Sequence, residues 1–261
     1  MRSRTVGGWI VAERSVWLYA VGAGLDGAWV DGLRGVDGEP VRPVSAAGLT
    51  ALVGAVDREA FGVEQLPARL DDLDQLATIA RAHHRVIRVA ADHQAVAPAR
   101  LATLYADFGR VRAMLAEHAA VFRAALRRVD GRHEWGVKIF ADTERRPGQP
   151  VDRPASGTAY LRQRRNSLTA REAALAAAGE IHADLAGSAV AARQRPPQDP
   201  NLSGDRRRML LNATYLVDDA GREAFVARVP AVAREHPELV VELTGPWPPY
   251  SFAAVEEGEP A

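Results

Sequence analysis

The chain has 261 residues, enough to bury one large core or two of ordinary size, and its 33 basic and 33 acidic side chains cancel. Balanced charge excludes an electrostatic case for nucleic acid or an anionic membrane as main partner. The absence of cysteine excludes disulfides, thiolate metal sites and cysteine nucleophiles.

No stretch of about 18 uncharged apolar residues is present, so no membrane span is expected, and no basic, apolar and small-residue leader opens the chain. A soluble, intracellular protein is expected. Residues 1–14 read as a loose polar tail. SVWLYAVG, with Val16, Leu18 and Ala20 alternating with Trp17, Tyr19 and Val21, predicts a strand. The glycine- and aspartate-rich run that follows leaves room for a short strand at Ala28 to Leu33 and a turn at Asp37-Gly38. VRPVSAAGLTALVGAV predicts hairpin strands. From Asp71 about 20 residues of helix are expected, with Leu73, Leu76, Ala80, Ile87 and Ala90 on one side and Asp71, Asp72 and Asp74 where a helix N-terminus favours anions.

A strand over Ala99 to Tyr105 is expected next. Phe108, Val111, Leu115, Ala119, Phe122, Leu126 and Val129 then recur at helical spacing, ended by Gly131. HEWGVKIFAD predicts a strand, and the proline-rich RRPGQPVDRPAS separates it from a long helix starting near Ser156. Leu161, Leu168 and Leu175 recur there every seven residues, followed by Ile181 and Leu185, and the leucine stripe is expected to seat the helix on a sheet or another helix. After the break ARQRPPQDPNLSGD come a strand in RRMLLNATYLVD, a helix in GREAFVARVPAVAREH bent or interrupted at Pro230, and a strand in ELVVEL. The fold class is α+β in two domains, 15–130 and 131–245, the second close to the split βαβ order of ferredoxin-like domains. Residues 246–261 form a proline and aromatic tail.

The chain has no phosphate-binding loop, dinucleotide fingerprint, zinc-protease helix or nucleophile elbow. His83 and His84 are adjacent on a helix, about 100° apart around its axis, and do not grip one metal together; each is expected at the surface or half-buried. His118 is expected partly buried on the apolar side of its helix. Arg162, Arg164 and Arg165, with Arg171 beyond them, form the sharpest charge cluster, either a solvated face or a docking surface for an acidic partner. In LTGPWPPYSF, Leu243 to Phe252, Pro246, Pro248 and Pro249 force extended backbone, and Trp247, Tyr250 and Phe252 either cover a core or form a patch for a partner.

That terminal motif, with SGTAYLRQRR at Ser156 to Arg165, EWGVKIF at Glu134 to Phe140 and VAPARLATLYAD before a helix, resembles the F/L family of gas vesicle proteins. The resemblance runs from Leu18 to Phe252. Ala102, Leu104 and a preference for arginine over lysine in SGTAYLRQRR depart from the family's pattern and leave the F or L subtype open. The resemblance implies a cytoplasmic, gas-vesicle-associated accessory protein with two α+β domains, each related to the ferredoxin-like fold, that binds the hydrophobic shell protein, with other gas vesicle accessory proteins as further candidate partners, and assists assembly. It implies no catalysis, no cofactor and no metal. Within that picture Trp247, Tyr250 and Phe252 are expected to lay a rigid tail across an interdomain groove, with Trp247 largely buried. The alternative is a small-molecule-binding or enzymatic α+β protein, since fold alone does not decide function. A closed pocket of convergent polar groups with perturbed ionisation would favour that alternative, and an exposed sheet edge or apolar groove the assembly factor.

Overall fold

A computed structural model describes residues 14–62, 64–141, 157–197 and 207–253. The loose N-terminal tail, apart from Arg14, the stretch RRPGQPVDRPAS and most of ARQRPPQDPNLSGD lie outside the described residues. The chain divides into two compact units, one of residues 1–130 with 248–261, the other of residues 131–247.

The first unit is built on a sheet of order β2-β3-β1-β4, with β5 also paired to β1. Strand β1 (Arg14–Gly22) is antiparallel to β3 (Leu49–Asp57), which is antiparallel to β2 (Val41–Ala46). The turn between β2 and β3 places Ala47 at φ 52° and Gly48 at φ 71°, the left-handed pair that a two-residue hairpin needs. Residues 28–30 form a single 3₁₀ turn where a strand was expected. Gly27 and Gly32 bracket that turn, and the chain regains pairing only at the bridge between Arg34 and Pro40, around the expected turn at Gly38 (φ 72°). The strand expected over Ala99 to Tyr105 is two short pieces, β4 (Val96–Pro98) and β5 (Leu104–Tyr105). A loop with Ala102 at φ 69° separates them, held to β1 by Ala99 N–H on Tyr19 O and Leu18 N–H on Thr103 O.

Two short helices, α1 (Arg58–Phe61) and α2 (Leu66–Asp71), lead into α3 (Leu73–His93). Asp72 caps α3 by accepting from the N–H groups of Asp74 and Gln75, both at 3.0 Å. Those bonds, to Gln75 first, hold its carboxyl below the usual range. The buried face of α3 is Ile79, Ala82, His83, Val86, Ile87 and Ala90; Leu73 is exposed because it precedes the part of the helix that reaches the sheet. The helix expected over Phe108 to Val129 breaks at His118, whose φ of −100° and ψ of 15° leave the helical region, giving α4 (Phe108–Glu117) and α5 (Ala119–Val129). Trp17, Tyr19, Leu52 and Val56 share a core with α3, while α4 packs on β2 and β3, and α5 on β1 and β4. Strand β1 is therefore buried on both faces from Ser15 on, which is why Val16 to Val21 are all hydrophobic rather than every second residue.

The second unit runs β6 (Arg132–Ala141), α6 (Gly157–Gly187), β7 (Ala191–Gln194), β8 (Met209–Asp218), α7 (Arg222–Glu235) and β9 (Leu239–Trp247), with sheet order β7-β8-β6-β9 and every pair antiparallel. Strand β7 falls where only a break was expected. Helix α7 continues through Pro230. Trp135, Val137 and Ile139 of β6 and Leu211, Ala213, Tyr215 and Val217 of β8 meet Ala177, Ala178, Ile181 and Leu185 of α6 and Phe225, Val229 and Val232 of α7 in one core.

The leucine stripe does not seat α6. Leu161, Leu168 and Leu175 are 64%, 50% and 43% exposed. At 100° per residue the three leucines lie within about 40° of one another, and the buried Ala177, Ala178, Ile181 and Leu185 sit roughly a third of a turn away.

Candidate functional site

The terminal motif divides between the units. Pro246 and Trp247, expected to open the tail, complete β9; after a register shift Trp247 pairs with Glu134 of β6. Proline is tolerated there because β9 is an edge strand. Trp247 is 41% exposed at the end of an edge strand, against the expectation of a largely buried ring. Pro248 to Ala253 belong to the first unit. Ser251, Phe252 and Ala253 are buried, and the Tyr250 hydroxyl bonds His84 Nδ1 at 2.8 Å with the two rings stacked. Bonds from the N–H groups of Phe252 and Ala253 to Pro249 O close a tight turn. His84 is half-buried as expected, and burial lowers its pKa.

Arg162, Arg164 and Arg165 are exposed on the N-terminal half of α6, beside the leucines.

Buried polar side chains gather instead under β1. Tyr19 donates to Glu39 Oε1 and accepts from the Val36 N–H at 2.9 Å, and Glu39 Oε2 accepts from the Asp37 N–H at 2.8 Å. Burial, then the nearby Glu39 charge, raises the Tyr19 pKa, so its phenol stays protonated. Trp17 Nε1–H donates to His83 Nδ1 at 2.9 Å, which leaves His83 Nε2–H to donate to Ala99 O at 3.1 Å. His83, expected at the surface or half-buried, is buried at 4% exposure because α3 turns it toward β1; burial lowers its pKa to about 4. Each of these groups has a hydrogen-bond partner within the core. A Cβ at Gly35 or Gly54 would land on the Glu39 carboxylate. Sequence reasoning missed the cluster because Trp17 and His83 are 66 residues apart and Tyr19 and Glu39 are 20 apart. Only the glycine and aspartate density around Glu39 hints at a backbone turned inward.

Open space lies on the opposite face of the same sheet. A cleft of about 230 Å³ is walled by Val53 and Ala55 of β3, Pro40, Phe108 of α4, and the stems of Arg14 and Arg42. It adjoins β2, an edge strand of the sheet. Arg14 is tied to Ala55 O at 3.0 Å. The cleft contains no acid, histidine or nucleophile, so its chemistry is contact with apolar surface and pairing with anions. Among the described residues no group of three or more histidine, aspartate or glutamate side chains could hold a metal ion.

The family model described as gas vesicle synthesis protein GvpL/GvpF matches residues 15–254. The chain belongs to this family. It is 40% identical over 254 residues to gas vesicle protein L of Streptomyces sp. (strain CB03234), covering 94% of this chain and 95% of that protein. Gas vesicle protein F of the same strain is 26% identical, over 91% of this chain and 99% of the relative. Gas vesicle protein F2 of Halobacterium salinarum is 26% identical over 82% and 88%. The fold is that of the crystal structure of GvpF from Anabaena sp. PCC7120, with a TM-score of 0.70 at 18% identity over 95% of this chain and 99% of that one. GvpF from Microcystis aeruginosa gives a TM-score of 0.65 at 17% identity, over 92% and 99%. Membership of the GvpL/GvpF family supports a role in gas vesicle formation. No described helix is long and apolar enough to cross a membrane.

Proposed function

We propose that this GvpL/GvpF protein is a non-enzymatic assembly factor that binds the hydrophobic gas vesicle shell protein in the cytoplasm. The observation that carries this reading is the family match across residues 15–254. The distribution of chemistry supports it. Among the groups with perturbed ionisation, Tyr19 is bonded to Glu39 and His83 to Trp17 inside the core, and Tyr215 is bonded to His182. The described cleft is apolar-walled, flanked by arginines and open beside a sheet edge, and its 230 Å³ falls below the roughly 300 Å³ at which small-molecule sites begin. A sheet edge next to apolar surface suits capture of an extended or aggregation-prone chain.

The β-α-β-β-α-β order of the described elements of the second unit, with both described helices in one core on one sheet face, supports a ferredoxin-like reading there. The first unit runs three strands before α3 and differs from that order. Identity of 40% to an L protein and 26% to the F protein of the same strain favours the L subtype. Tyr250 and Phe252 are proposed to anchor the C-terminal arm, and the exposed part of Trp247 to contact a partner.

A pull-down of purified shell protein by the full chain, with and without exhaustive chelation, tests the reading. Retention in both conditions is expected. Retention only without chelator would mean that a metal is needed, and no retention in either would overturn the partner.

A further inference from the structure

Helix α6 has 31 residues, about 46 Å at 1.5 Å per residue. The longest strands of its unit have 10 residues, about 34 Å. Among the described residues its C-terminal part meets the core: Ala174 is partly buried against it and full burial begins at Ala177. On the half before them, Leu161, Leu168 and Leu175 form an exposed ridge, one leucine per about 10.5 Å. Helical geometry sets Arg164 and Arg171 along one flank of that ridge and Arg165 along the other, all three exposed. Between Gly157 and Ala176 the sequence carries four arginines and one glutamate, Glu172.

An apolar ridge between cationic flanks is half of a helix pair. We propose that the N-terminal half of α6 docks an amphipathic helix of another protein, one with an apolar seam flanked by aspartate or glutamate. Leucines at seven-residue spacing stay on one side of a helix, the pattern by which two helices pair at 8–10 Å. The flanking charges select the partner. A second copy of this chain is disfavoured, because pairing two ridges sets two strongly basic helix halves together in either orientation. The alanines that seat α6 on its sheet lie on another side, so docking leaves the core intact. This inference is independent of the shell-protein reading, since the partner is defined by its chemistry alone.

The test uses the full chain and a labelled three-heptad peptide with a leucine seam and glutamate flanks, which repel and keep the peptide from pairing with itself. Fluorescence anisotropy is expected to show saturable binding, at least tenfold weaker for the same peptide with lysine flanks and weakened by salt. Leu161→Gln combined with Leu168→Gln is expected to weaken the acidic peptide at least tenfold with the melting temperature unchanged. Arg164→Glu with Arg165→Glu is expected to shift the preference toward the lysine peptide, and this variant carries the test if the leucine variant fails to fold. No binding of the acidic peptide, equal binding of both peptides, or equal affinity in the leucine variant would overturn the proposal. A leucine-dependent dimer in sedimentation without peptide would also overturn it, naming a second copy as the occupant.

Discussion

Replacing Phe252 by alanine separates an anchored C-terminal arm from a loosely lying one. The ring is 3% exposed, inside a segment whose neighbours Ser251 and Ala253 are also buried. Deleting a fully buried phenylalanine costs about 3–5 kcal/mol, transfer and cavity terms together. The upper half of that range is expected, because the tight turn closed on Pro249 O holds the segment and limits collapse of the cavity. With a urea slope of about 2 kcal/mol/M the unfolding midpoint of the first unit should fall by roughly 2 M. Trp247→Ala, at a strand end with a ring 41% exposed, should cost roughly 1–2 kcal/mol, a discount from the same range. Circular dichroism and tryptophan fluorescence, with Trp17 and Trp29 in the first unit, follow the transition in both variants. If Phe252→Ala unfolds at the wild-type midpoint, or Trp247→Ala loses more than it does, the assignment of residues 248–253 to the first core is wrong.

Leu168→Ala should leave stability within about 0.5 kcal/mol while Leu185→Ala, fully buried, should cost about 2–5 kcal/mol; the two melting curves settle it. Gly54→Ala sets a methyl against the Glu39 carboxylate and should destabilise by about 1–3 kcal/mol, read from chemical denaturation. His83, buried and neutral with a pKa lowered from 6.5 to about 4, disfavours protonation in the folded state. The unfolded chain therefore binds more protons between those values, so stability is whole above pH 6.5 and declines toward pH 4, by roughly 3 kcal/mol from this group. Denaturation midpoints at pH 7 and pH 4.5 should show that decline in the wild type and a smaller one in His83→Gln.

Local chemistry made most elements legible. Strands β1, β2, β3, β6 and β8 announce themselves through runs of β-formers, and Asp72 through its place before an apolar-periodic segment. What stayed hidden depends on partners remote in sequence. A seven-residue leucine repeat identifies a helix, yet which side meets the sheet was decided by Ala177 and Ala178, residues too small to stand out in an alanine-rich chain. The break at His118 was invisible because the apolar spacing of Leu115, Ala119 and Phe122 runs through it without interruption. Tyr250 and His84 are 166 residues apart, and nothing local tells either of the other. The residues named for the candidate site were thus readable by type, while their separation into a buried anchor and an exposed strand end was not.

The first unit is closed by residues synthesised after the whole of the second. Residues 131–247 can form their own sheet while β1 to β5 still lack Tyr250, Ser251, Phe252 and Ala253. The order of completion is therefore inverted relative to the order of synthesis, and the N-terminal unit acquires its last core residues when the final segment arrives. Damage or fusion near residue 253 would weaken a unit that begins some 240 positions upstream. Until that segment docks, the partly covered face around His84 stays open, and a nascent chain shows a different surface from a finished one.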